Sequence, residues 1–237
     1  MQVLIDYDNV EPIDRSRGLT YLALRVLSAI GVSNLQSVGR ADLRLYGGWY
    51  KGRSLSRRAQ TLGAEIERDF PTVQTIGERG VNLKLPVGAQ LATSLMIDPK
   101  KEIFNTYRQN APPVNLETKH APWTGCSEPT ACAIGAFTAF FAQRECPHPS
   151  CSVTPAEIFY RSEQKLVDTM LTADMINVAS KRGETFAVVS SDDDMWPGIK
   201  SALLLGCRVF HVHPKPGRYT PSCYSDGVGS SYLQSTF

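Results

Sequence analysis

The chain has 237 residues, with 25 Lys and Arg against 23 Asp and Glu, a net charge of +2 with histidine neutral. That balance excludes a polybasic tail and an acidic disordered chain, and 42% hydrophobic with 20% charged residues supplies enough apolar material for a core. No stretch is long and apolar enough to span a bilayer, no signal-peptide pattern opens the sequence and no repeat recurs, so a cytoplasmic location is expected and collagen, coiled-coil and membrane classes are set aside.

Val3-Leu4-Ile5 is a short continuous apolar run, the pattern of a strand buried on both faces. From Arg15 to Ile30 the residues Leu19, Leu22, Ala23, Val26, Leu27 and Ile30 recur on one helical stripe, and Gly31 is placed to stop it. Leu43–Tyr46 reads as a second strand, Leu55–Leu62 as a short helix and Ala64–Glu67 as a third strand. Val81, Leu83, Leu85 and Val87 alternate like a strand, whereas Ala89–Ile97 fits either type.

Between residues 98 and 156 the composition changes. Eight of the fifteen prolines and four of the six cysteines fall there, which predicts an insert within a larger domain. Beyond it, Glu157–Ser180 has helical spacing, Phe186–Val189 reads as a buried strand, Pro197 opens a helix that Gly206 ends, and Cys207–Val212 reads as a last strand. Alternating strands and helices predict an α/β fold with a mostly parallel sheet. The expected organisation is one domain in two parts, 1–97 and 157–215, interrupted by the insert 98–156 and followed by a polar tail, 216–237.

Acidic residues gather at the ends of two expected strands, in Asp6-Tyr7-Asp8-Asn9 and Asp192-Asp193-Asp194, and Asp168 sits in the long expected helix. In an open parallel sheet, ligands collect beyond the carboxyl ends of the strands, so the two clusters can share a cleft that the helix reaches. Neighbouring carboxylates repel and raise each other's pKa, and a bound cation relieves this. Oxygen ligands without nearby Cys or paired His favour Mg2+ or Mn2+, which activate water and neutralise charge on a phosphorus centre. The plainer readings are that Asp6 is a turn residue, that one of Asp192–Asp194 caps the following helix, and that Asp168 pairs with Lys165. Asp174, in line with Val167, Leu171 and Val178, reads as a buried structural carboxylate.

The stretch Val3-Leu-Ile-Asp-Tyr-Asp-Asn9 resembles the opening motif of the NYN family of PIN-like ribonucleases. Lys165-Leu-Val-Asp168 with Asp174 six residues on resembles that family's helix motif, and Ser190-Ser-Asp-Asp-Asp-Met-Trp-Pro197 resembles its Ser-Gly-Asp-Ser-Asp-Phe-x-Pro motif. Gly206-Cys-Arg-Val209 fits the strand that follows. The resemblance covers the first ten residues and roughly residues 161–212, in the family's order. It implies a PIN-like three-layer α/β/α fold and a metal-dependent ribonuclease. By position, Asp6, Asp168, Asp192 and Asp194 would be both the catalytic residues and the Mg2+ or Mn2+ ligands, with Asn9 as a hydrogen-bonding group beside them. Asp193 stands where the family has Ser, and its extra charge would alter metal affinity.

Residues 40–58 carry six cations (Arg40, Arg44, Lys51, Arg53, Arg57 and Arg58) against Asp42 alone, interleaved with Tyr46, Trp49 and Tyr50 behind Gly47-Gly48. That is the composition of a groove for single-stranded RNA, or of a solvated helix face with the aromatics in the core. Arg53, Arg57, Arg58, Arg161 and Lys165 are the candidate phosphate contacts, and RNA, single-stranded or structured, is the expected partner. Cys126, Cys132, Cys146 and Cys151, with His148 or His120 as substitutes, could hold a structural Zn2+; the alternatives are disulfides, which the absence of a secretion signal disfavours, or simply buried thiols. A phosphatase of the haloacid-dehalogenase type is the alternative enzyme, with Asp6 as nucleophile and Asp8 as general acid. A silent RNA-binding module is the alternative without chemistry.

Overall fold

In the computed structural model, residues 1–78, 80–110, 133–146, 148–164 and 166–237 are described. They divide into two units, residues 1–107 with 164–237, and residues 108–163. Residues 98–102, which composition grouped with the insert, pair as a strand with Ser94–Leu95 in the first unit.

The first unit is built on seven strands: β1 (Gln2–Asp6), β2 (Ala41–Tyr46), β3 (Thr72–Glu78), β4 (Val81–Leu91), β5 (Thr185–Val189), β6 (Arg208–His213) and β7 (Tyr232–Thr236). Their spatial order is β7-β6-β5-β1-β2-β4-β3, and all neighbours are parallel except the β3–β4 hairpin. The main helices are α1 (Leu19–Ile30), α2 (Arg57–Asp69), α3 (Val167–Ala179) and α4 (Trp196–Leu204). Successive strand residues face opposite sides. Val3 and Ile5 enter a core with Leu22 and Val26 of α1 and Leu62 of α2. Leu4 enters a second core with Leu171 and Met175 of α3 and Ile199 of α4. Helices therefore cover both faces, which is why the central strands are continuous apolar runs.

This topology positions the acids. The chain moves outward from β1 to β2 on one side and places β5 on the other, so the strand order reverses beside β1. A crevice opens at such a point beyond the strand ends. Asp6 ends β1, and Ser190 follows β5 directly. Asp6 shares the parity of Leu4, so β1 delivers its carboxylate toward the face that α3 covers.

Several expected elements are corrected. Ala64–Glu67 is not a strand but the second half of α2: Ala59, Leu62 and Ile66 form one inward stripe at helical spacing. Ser56 starts that helix, its hydroxyl accepting from the Ala59 N–H at 3.2 Å. The expected helix 157–180 is broken into a turn at Pro155–Ile158, a strand at Arg161–Gln164, and α3. Leu166, with a φ of 68°, lies in the left-handed region and ends any continuous helix before Val167. The tail contains β7, which pairs with β6 at Val209–Tyr232.

In the second unit, a helix spans Ala133–Gln143. Its Phe137 and Phe141 meet at 4.9 Å between ring centroids, and Phe159 closes on Phe137 at 5.3 Å. Phe137, Phe140, Val153 and Ile158 line an apolar cavity together with Cys146 and Cys151, which form no disulfide. Cys126, Cys132 and His120 lie outside the described residues, as does Lys165. Among the described residues no helix is long and apolar enough to cross a membrane.

Candidate functional site

A cleft of about 350 Å³ lies beyond the ends of β1 and β5. Asp6, Asp8, Asp168 and Asp192 line it, together with Arg15 and Lys215. Three of the four aspartates singled out from the sequence thus meet in one place. Asp194 does not line the cleft, although it is close enough to act on Asp168 electrostatically.

Asp6 is 3% exposed. Its Oδ2 accepts from the Ser190 hydroxyl at 3.1 Å, and its Oδ1 from the Asn9 N–H at 3.3 Å. Burial first, and then the charge of Asp168, push its pKa up to about 7; Asp192 and Asp8 add to this, while the Ser190 hydroxyl opposes it. Asp168 lies in the first turn of α3, not in mid-helix as the sequence suggests. There the helix dipole favours a carboxylate, so its helical position alone is unremarkable. Its pKa is nevertheless raised, by partial desolvation and then by Asp192, Asp194 and Asp8.

The loops are tied together by short polar contacts. Asn9 Oδ1 accepts from the Ser191 N–H at 2.8 Å, linking the turn after β1 to the loop after β5. The Ser190 hydroxyl also accepts from the Asp192 N–H at 3.1 Å, and the Ser191 hydroxyl accepts from the Lys215 N–H at 3.2 Å. Asp192 starts the turn before α4 with its backbone carbonyl, without a side-chain cap. Its carboxylate lies 3.9 Å from Lys215 Nζ. Asp193 points elsewhere and pairs with Arg218 at 3.2 Å.

Asp8 is committed to other work. Its carboxylate is bound by Arg58, accepts from the Gly48 N–H at 2.9 Å and lies 3.7 Å from Arg15. Gly47 permits this approach. A Cβ there would stand 2.7 Å from the Trp49 ring and 2.9 Å from Asp8 Oδ2, so the glycine provides room rather than freedom.

Of the two readings of the basic, aromatic stretch, the aromatics follow the one that places them in the core. Tyr46 and Trp49 are in the core, and Tyr50 is buried with its hydroxyl on Glu102 at 2.7 Å. Arg44 is also buried, paired with Asp174 at 2.9 Å. Asp174 further accepts from the Tyr46 hydroxyl at 2.7 Å and the Met96 N–H at 2.7 Å, which makes it the structural carboxylate expected. Arg40 pairs with Asp42. Of the candidate phosphate contacts, Arg58 reaches the site through Asp8, Arg57 is exposed at the start of α2, and Arg53 lies 5.9 Å above the Phe104 ring. Arg161 belongs to the second unit.

Arg15 and Lys215 went unnoticed in the sequence because neither stands in a motif. Lys215 could have been found by one signal: it follows a parallel strand that lies next to β5, whose following loop carries Asp192.

Among the described residues, no three His, Cys, Asp or Glu side chains are arranged to hold a metal ion by themselves. The expected four-aspartate cage is therefore not assembled, since Asp6 and Asp192 each have partners of their own and Asp194 stands outside. A hard divalent ion asks for less. Mg2+ binds through one or two carboxylates and takes water and phosphate oxygens for its remaining positions. The oxygen donors of this cleft fit that demand. Comparison with protein-family models, curated proteins and solved structures finds no match.

Proposed function

We propose that the chain is a divalent-cation-dependent nuclease acting on RNA, on a PIN-like three-layer α/β/α fold. One observation carries this reading: Asp6, Asp168 and Asp192, drawn from distant parts of the sequence, line a single cleft in which burial and neighbouring carboxylates raise the pKa of Asp6 and of Asp168. One or two of Asp6, Asp168 and Asp192 would hold the ion, with water and phosphate oxygens in its remaining positions. A bound Mg2+ or Mn2+ supplies acidified water and charge neutralisation at the phosphorus. Arg15 and Lys215 attract the phosphodiester to an otherwise acidic surface. Asn9 and Ser190 keep the loops after β1 and β5 in register, so that the carboxylates keep their spacing as substrate enters.

The phosphatase alternative has less support. Its general acid would be Asp8, whose oxygens are already taken up by Arg58 and the Gly48 N–H. No role is left in it for Asp168.

Labelled RNA incubated with Mn2+ should be cut, and Asp168→Asn should reduce cutting to background while RNA binding persists. Asp168 is exposed, so this variant is expected to fold. Cleavage that survives chelation would overturn the reading. A trapped phosphoryl group on Asp6 would favour the phosphatase, and tight binding without turnover in any metal would favour the silent module.

A further inference from the structure

Ser190 sits one residue beyond the β5–β6 ladder, whose last pair is Val189 with Val212. Its N–H still donates to the Val212 carbonyl at 3.2 Å. In a parallel ladder, the carbonyl of that residue next takes the N–H two positions further along the partner strand. Here that position is Pro214, which has no N–H. The Ser190 carbonyl is thus deprived of its ladder donor, and a buried residue cannot leave it unpaired without cost.

His211 supplies the donor. Its Nε2 lies 3.0 Å from the Ser190 carbonyl oxygen. A carbonyl only accepts, so Nε2 carries the proton and Nδ1 accepts. Two hydroxyls meet Nδ1, Tyr232 at 2.9 Å and Thr220 at 3.1 Å, and they stand 2.7 Å from each other. The ring is 3% exposed, and burial, followed by neighbouring His213, holds it well below the usual histidine range, at about 3. It therefore remains a neutral donor at neutral pH.

What His211 holds matters to the cleft. The Ser190 hydroxyl donates to Asp6 and accepts from the Asp192 amide, both at 3.1 Å. We propose that His211 is a positioning residue for the carboxylate cleft: it replaces the donor missing at Pro214, fixes Ser190, and through the Ser190 hydroxyl sets Asp6 and the start of the Asp192 loop. Tyr232 and Thr220 hold the other ring nitrogen, which makes β7 part of the site. The inference rests on the nuclease reading only in taking this cleft as the reacting centre.

The full chain labelled with 15N-histidine should show His211 as the neutral Nε2–H tautomer at pH 7. An Nδ1–H or charged ring would overturn the proposal without any variant. Two substitutions separate positioning from general damage. Gln sets an amide N–H close to where Nε2 stands; Phe keeps the ring volume and has no donor. In His211→Gln the Asp192 amide resonance should stay near its wild-type position, whereas in His211→Phe it should shift. On RNA, His211→Phe should lose about 10–100-fold in kcat with KM little changed, and His211→Gln should recover most of that loss. Adding Pro214→Ala to His211→Phe returns a backbone N–H and should regain part of the rate. A folded His211→Phe protein with an unmoved Asp192 amide and full activity sinks the proposal, as does a Gln variant as impaired as Phe. If wild-type protein cuts no RNA while the resonances follow this pattern, the positioning role stands and the nuclease reading falls.

Discussion

Asp6 is buried among like charges, and its protonation couples the site to folding. Its pKa rises from 3.8 to about 7, chiefly through burial and Asp168. Between those values the folded protein binds more protons at Asp6 than the unfolded chain does. Stability therefore falls as pH rises through the window, and the loss is complete above about 7. His211 acts in the opposite sense: with its pKa lowered from 6.5 to about 3, the unfolded chain binds the extra proton, and stability is lost as pH falls through that range. The two overlap in wild-type protein, but the difference between Asp6→Asn and wild type isolates the aspartate. In chelated buffer Asp6→Asn should gain on wild type by up to about 1.4 kcal/mol per pH unit between pH 4 and 7, then stay level. Urea unfolding at four or five pH values measures it. A difference that ignores pH would mean that Asp6 titrates as an ordinary surface carboxylate. Mn2+ at about 100 times its Kd should add about 2.7 kcal/mol to wild type and clearly less to Asp6→Asn.

Between elements, the firmest polar joint lies away from the cleft. Arg44 of β2 meets Asp174 of α3 at 2.9 Å with both side chains buried, and Arg44 also donates to the Ser94 carbonyl. This joint holds α3 against the sheet, and so holds Asp168 over β1. Arg44→Met leaves Asp174 buried without its cation and should cost about 3–5 kcal/mol in urea unfolding. A loss under about 1 kcal/mol would show that water or another donor replaces the guanidinium. The pair also shows where the sequence was readable. Asp174 was legible because its place on an apolar stripe demanded burial, whereas Arg44 looked like one cation of a surface patch, since nothing local marks an arginine as paired across the fold. The same division runs through the elements. β1, β2, β5 and β6 stand out as apolar runs because both their faces are covered. β7 is an edge strand rich in polar residues, Gln234 and Ser235 among them, and gives no such signal. The start of α3 depends on the left-handed turn at Leu166, which helical spacing cannot report. In the cleft, the aspartates at strand ends were legible from their position; the tie from Pro214 through His211 to Ser190 required the β5–β6 register.

Across the whole molecule, charge is nearly balanced at +2, so long-range attraction cannot by itself bring an anionic polymer to an acidic cleft. Any such attraction must be local. Among the described residues, Arg15 and Lys215 are the cations that line the cleft, and Arg58 lies just beyond Asp8. If RNA enters there, few phosphates are neutralised and the salt dependence of binding should be shallow. Each contact to a single strand contributes about 0.7 to the slope of log K against log salt. Two contacts would therefore cost about sevenfold in affinity between 50 and 200 mM salt, against several orders of magnitude for a protein with an extended basic face. Lys215→Ala should lower the slope by about 0.7, and Arg15→Ala by a similar amount. Arg53→Ala, whose guanidinium lies over the Phe104 ring and outside the cleft lining, should leave it unchanged. Fluorescence anisotropy of a short labelled RNA at four salt concentrations reads all three slopes, with Asp168→Asn as background to prevent cleavage. A steep slope that Arg53→Ala reduces and Lys215→Ala does not would put the RNA on Arg53, outside the cleft lining, and so separate binding from the proposed chemistry.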